Sequence, residues 1–178
     1  MKIRAWRELR AVIHPLPPPN FTWPAASSTA SALISAAKGG RVFRADNAEI
    51  SIAAGALLTD QTVTISTPAA RGADEESAMV RAASAAGLLV ASDGVEFGPT
   101  GTRLRRATAV VVPYSAALAR AAGLRDFDLA IYLWNPSARQ WVRLPSLIDT
   151  ANHTATTRIF AFSLCKIFGA PRVSSGVR

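Results

Sequence analysis

Residues 95–114 read VEFGPTGTRLRRATAVVVPY, a tight glycine and proline turn running straight into a long β-prone apolar stretch. Gly98, Pro99 and Gly101 break regular structure, whereas Thr108, Val110, Val111 and Val112 carry β-branched side chains that pack well on a pleated surface. Pro113 ends the run by removing a backbone donor from the ladder. The pattern predicts a strand entered through a sharp turn, which is the grammar of an all-β domain.

The same grammar resumes on both sides. Residues 41–45 predict a strand, and Asp46-Asn47 supplies a turn whose side chains can bond their own backbone. Ala48, Ile50 and Ile52 then alternate with Glu49 and Ser51, so one face is expected buried and the other wet. Gly55 ends this strand, and residues 62–67 predict another with Val63 and Ile65 inside. Residues 88–90 and 95–97 resume the sheet, and residues 156–165 close it. Residues 128–134 and 140–144 predict a hairpin around Asn135-Pro136, with Tyr132 and Trp134 on one face and Leu129, Ile131 and Leu133 on the other. Residues 68–87 have helix-forming composition, and residues 115–123 read as two turns of helix stopped by Gly123. The expected fold is an antiparallel β-sandwich with one or two short helices in its connections.

Residues 1–38 read differently: a short basic piece with a possible helix at 3–13, a proline cluster at Pro15, Pro17, Pro18 and Pro19, then small polar residues. Prolines block both helix and ladder, and the small residues bury too little area to offset ordering entropy, so a flexible linker is expected there. The expected domain spans residues 39–169, and residues 170–178 form a disordered tail.

At 178 residues and 49% hydrophobic, the chain can bury one ordinary core. The formal charge of +8 is dispersed: residues 1–10 carry four basic groups and one acid, and residues 11–169 carry fourteen basic and eleven acidic groups. No groove-reading motif and no arginine cluster with aromatic rings is visible along the chain, so no nucleic-acid partner is expected. The single cysteine, Cys165, forbids an internal disulfide and a cysteine-based zinc site. No apolar stretch reaches membrane-spanning length, and MKIRAWRELRAVIHPLPPP has charges where a signal peptide needs its apolar core. An extracytoplasmic compartment would therefore require an upstream leader.

In their order these pieces resemble the domain shared by zonula occludens proteins, UNC-five netrin receptors and ankyrins, the ZU-five type domain, and particularly its bacterial relatives. The family's opening Gly-Gly-x-Val and Asp-containing turn are matched by Gly39-Gly40-Arg41-Val42 and Asp46. Its Ile-Pro-x-Gly-Ala-Leu segment is matched by Ile52, Gly55, Ala56 and Leu57, with Ala53 in the proline position. Its Gly-Pro-x-Gly turn before a Pro-flanked strand looks like Gly98-Pro99-Thr100-Gly101 and residues 106–113, with Arg106-Ala107 replacing the usual first proline. Trp141 occupies the place of a tryptophan common in bacterial members. The resemblance implies a noncatalytic interaction or structural module that binds a protein partner, in an envelope or surface assembly, without cofactor or metal.

Some members of that family cleave themselves at a His-Phe-Ser sequence, and the corresponding residues here are Ala161-Phe162-Ser163. Alanine cannot activate the Ser163 hydroxyl, so cleavage at Phe162-Ser163 is expected to be absent or very slow. His153, read as a turn histidine, is the one histidine of the expected domain that could substitute. Phe160, Phe162 and Leu164 are expected to share a core face, and Ser163 to bury its hydroxyl against a backbone partner. Exposed, coplanar Tyr132, Trp134 and Trp141 would instead suit carbohydrate binding, although a cross-strand aromatic pair more often packs the sheet. Asp126 and Asp128 lack a third ligand for calcium, and Glu75-Glu76 lie in the segment expected to be least ordered, a surface helix or long loop, so neither pair is expected to hold calcium or act as acid and base.

Overall fold

The computed structural model describes residues 29–170. They form twelve strands and two helices: β1 (Ala30–Ile34), β2 (Gly40–Phe43), β3 (Glu49–Ile52), β4 (Gln61–Ser66), α1 (Ala73–Ala85), β5 (Leu89–Val90), β6 (Val95–Gly98), β7 (Arg103–Pro113), α2 (Ala116–Ala121), β8 (Leu129–Asn135), β9 (Gln140–Arg143), β10 (Leu147–Asp149), β11 (Thr154–Ala161) and β12 (Leu164–Gly169). Every pairing is antiparallel. A seven-stranded sheet runs β1-β4-β6-β12-β8-β9, with β5 also on β12, and a five-stranded sheet runs β10-β11-β7-β3-β2. The fold is the expected all-β sandwich.

The core lies between the sheets and follows the alternation read from sequence. Ile50 and Ile52 of β3, Val63 and Ile65 of β4, and Val110 and Val112 of β7 meet Phe97, Ile131, Cys165 and Ile167 there. Cys165 is fully enclosed, and burial pushes its thiol up to about 12. The turn after β6 carries the chain from one sheet to the other. Gly98 lies so close to β4 that an added β-carbon would strike the Thr64 hydroxyl, and Gly101 holds φ at +88°.

The chain joins the sheet earlier than expected. Ala30, Ala32 and Ile34 of β1 face Ile65, Val63 and Gln61 of β4 and pack on the core, so the folded unit begins before residue 39 and the flexible reading of residues 30–34 is corrected. Their alternation is regular, but alanine and serine give it little hydrophobic contrast. The remainder of the expected linker, including the possible helix at 3–13, and residues 171–178 of the expected tail lie outside the described residues.

The closing run 156–165 is two strands rather than one. The register shifts between Ile159 and Ala161, and the chain crosses from β11 in the five-stranded sheet to β12 in the other. Alternation does not survive the crossing, so Phe160, Phe162 and Leu164 do not share a face. Phe162 enters the inter-sheet core, Leu164 packs under α1 beside Trp134, and Phe160 is 64% exposed.

Candidate functional site

The three candidate aromatic residues lie together on the outer face of the seven-stranded sheet. Trp134 and Trp141 are cross-strand partners, their ring centroids 5.2 Å apart and tilted by 56°, and Tyr132 meets Phe168 edge to face at 5.5 Å. Helix α1 covers this surface with the small side chains of Ala78, Ala82 and Ala83 and with Met79. Trp134 Nε1 donates to Glu75 Oε1 at 3.0 Å, and Trp141 Nε1 donates to the Met79 carbonyl at 3.0 Å. Arg71 secures the start of the helix by pairing with Glu75 at 3.1 Å and with Glu96 of β6 at 2.8 Å. Trp134 is only 1% exposed, and Tyr132 is buried as well. The rings are neither coplanar nor open, so they lack the stacking platform that carbohydrate binding requires, and the packing alternative describes them. Glu75 acts in this lid rather than in a loop.

Ala161, Phe162 and Ser163 form the corner between the sheets. Ser163 is buried, and its hydroxyl donates to the Trp134 carbonyl at 2.8 Å. His153 sits at the opposite end of β11 with φ at +53°, exposed, its ring 5.7 Å from that of Tyr114. The intervening eight-residue strand spans about 26 Å at roughly 3.3 Å per residue. The geometry therefore gives Ser163 a carbonyl to donate to, and leaves His153 far outside proton-transfer distance.

His153 instead borders an open cavity of about 340 Å³ with Arg120, Asp126, Phe127 and Thr150. The Tyr114 hydroxyl donates to Asp126 at 3.3 Å; burial and the carboxylate charge push this phenol up to about 12. Asp126 and Asp128 belong to a 3-10 turn, and Asp128 is held by Arg125 at 3.0 Å. Among the described residues no three His, Cys, Asp or Glu side chains gather where they could hold a metal ion.

The outer face of the five-stranded sheet is built quite differently. Register places Leu147, Thr156, Val111, Glu49 and Phe43 in one row across all five strands, and Arg158, Ala109, Ser51 and Arg41 in the next. Along the central strand β7 the outward positions are Arg103 and Arg105, on either side of buried Leu104, and then Ala107, Ala109, Val111 and Pro113. Central strands that are apolar on both faces normally lie beneath another layer. Among the described residues no helix lies over this one. Leu147 at one edge is 79% exposed, and Phe43 at the other is open.

Phe160 extends this face beyond Arg158, and Ala161 pairs with Arg103 on the neighbouring strand. Arg103, Arg105, Arg158 and Phe160 are thus exposed positions of the neighbouring strands β7 and β11, on either side of the register shift that joins Ala161 to Arg103. Sequence reading missed this arrangement because the cationic segment and the aromatic residue belong to strands that become neighbours only in the folded sheet. The local sign was the unbroken apolar run after Arg106, which reads equally well as an interior strand.

A two-sheet antiparallel sandwich, one outer face closed by a helix and the other uncovered by any helix among the described residues, is the class that this fold and surface define. No family model matches the chain, and no curated protein matches it in sequence. Among the described residues no helix is long and apolar enough to cross a membrane.

Proposed function

We propose that this chain is a noncatalytic, ZU-five-like interaction module that docks a protein partner on the outer face of its five-stranded sheet. The observation that carries the reading is the row Ala107, Ala109, Val111 and Pro113, half-buried on the central strand with exposed Leu147 and Phe43 at the two edges. Apolar positions interspersed in this way with Thr156, Glu49, Ser51 and Arg158 suit a partner that offers apolar side chains together with polar ones. The ordered glycine turns of the sequence support the family assignment. The noncatalytic half of the reading rests on Ala161 in the base position and on the distance between His153 and Ser163.

The test is capture of partners from lysate of the source organism by tagged wild-type protein, a Val111→Arg variant and a Val80→Arg control on the exposed side of α1. Proteins retained by wild type and control, yet lost by Val111→Arg with its thermal unfolding intact, would identify the docking face. Identical captured sets from all three would overturn it. Intact mass after prolonged incubation checks the other half: release of a C-terminal peptide at Phe162-Ser163 would overturn the noncatalytic assignment.

A further inference from the structure

We infer that the partner segment seated on this face is acidic, its carboxylates held by Arg103, Arg105 and Arg158 and its apolar groups laid against Phe160 and the β7 row. The inference rests on the module reading above and adds the chemistry of the partner. Arg103 and Arg105 are exposed on either side of buried Leu104, Arg103 pairs with Ala161 next to exposed Phe160, and Arg158 pairs across the ladder with Ala109. All three are exposed, and among the described residues none lies within ion-pair distance of a carboxylate. Arg41, the other cation of the face, is already engaged by Glu49. These three guanidinium groups therefore have no carboxylate partner among the described residues, and each is able to receive one in a bidentate fork.

Charge chooses among the possible occupants. The chain's own residues 1–28 carry Lys2, Arg4, Arg7 and Arg10 against the single acid Glu8, so this segment would meet like charge. A second copy would present the same cationic face, with Arg41, Arg103, Arg105 and Arg158 outnumbering Glu49 and Asp149. A nucleic acid would use the arginines but leave the apolar row beside them unfilled, whereas a polypeptide with alternating acidic and apolar groups would use both halves.

The experiment measures fluorescence anisotropy of three labelled probes on the full chain: a glutamate–tyrosine copolymer, polyglutamate and a single-stranded oligodeoxynucleotide. The copolymer should bind most tightly, and its affinity should fall as salt is raised. An Arg103→Glu/Arg158→Glu variant should lose about tenfold in copolymer affinity, whereas Arg81→Glu/Arg120→Glu, with the same charge change elsewhere, should lose less than about twofold. Arg158→Gln provides a milder variant with a several-fold loss if the double reversal does not fold. Equal losses in both double variants would reduce the effect to net charge and overturn the inference. So would an oligonucleotide that binds as tightly through the same arginines. If the partner lost by Val111→Arg is still captured by Arg103→Glu/Arg158→Glu, the docking face stands and the acidic partner falls. If capture ignores Val111→Arg as well, both fall.

Discussion

The two outer faces of this sandwich carry their apolar groups in opposite ways. On the seven-stranded sheet the large rings Tyr132, Trp134, Trp141 and Phe168 are closed over by α1, and both indole N–H groups are bonded to that helix. On the five-stranded sheet the small residues Ala107, Ala109, Val111 and Pro113 remain half-exposed, with Leu147, Phe43 and Phe160 standing out at the margins. Lifting α1 would expose the rings to water and exchange both indole hydrogen bonds for bonds to solvent, at a net cost of about 0.5–1.5 kcal/mol for each bond besides the lost burial. The aromatic face is thus part of the folded core, and among the described residues the other face is the one that no helix covers. Ring content is a poor guide to binding when a helix from elsewhere in the chain can land on the rings.

The strongest way to break this contrast is to delete a side chain from each face. Trp134→Ala should cost about 3–5 kcal/mol, since it leaves a cavity beneath α1 and removes the indole hydrogen bond to Glu75. Val111→Thr on the open face should stay within about 0.5 kcal/mol of wild type. Denaturant titration of both variants checks the pair. A Val111→Thr loss near that of Trp134→Ala would show that the second face is also covered in the free protein.

Much of this architecture was legible locally. Ile50 and Ile52, Val63 and Ile65, and the hairpin of Trp134 and Trp141 lie as their alternation predicted, because period-two patterning requires no knowledge of distant partners. Strand β1 was not legible, since Ala30, Ser31 and Ala32 differ too little in hydrophobicity to mark an inside and an outside. Phe160 was misplaced for another reason: the chain changes sheets at Phe162 and Ser163, and no residue there announces the crossing. The open face escaped notice because a strand apolar on both sides looks the same in sequence whether its second side is covered or bare. The cover of an outer face is decided by where a connection such as α1 comes to rest.

The turn joining the two sheets sharpens the comparison with a smaller effect. Gly101 holds φ at +88° with no atom within 4 Å of a would-be β-carbon, so Gly101→Val should cost about 1–3 kcal/mol through backbone strain alone. The denaturation midpoint should fall while the transition remains single, because β6 and β7 share one core. An unchanged midpoint would mean that the turn does not constrain how the faces are set against each other. Two separated transitions would mean that the sheets unfold independently.

The smallest expected effect compares one carboxylate beside each sheet. Asp46 lies in the β2–β3 hairpin of the open sheet; burial opposes its charge, but hydrogen bonds from Arg44 Nε at 2.8 Å and Nη2 at 2.6 Å, with the guanidinium charge, hold it below the usual carboxylate value of 3.8. Asp93, beside the closed sheet, is raised because burial outweighs the attraction of Lys166. The signs are opposite. Asp46 contributes stability that is fully present above its unfolded value and is lost as the pH falls through its lower folded value. Asp93 contributes stability below its unfolded value and loses it as the pH rises through its higher folded value. At neutral pH, Asp46→Asn should therefore cost about 1 kcal/mol, and its stability curve should converge on that of wild type as the solution is acidified. Asp93→Asn should be neutral or slightly stabilising at neutral pH, because it removes a charge that burial disfavours. Thermal unfolding across the acid range reads both. If Asp46→Asn were harmless at neutral pH while Asp93→Asn destabilised, the ion-pair support would belong to the closed sheet and the assignment of the two carboxylates would be reversed.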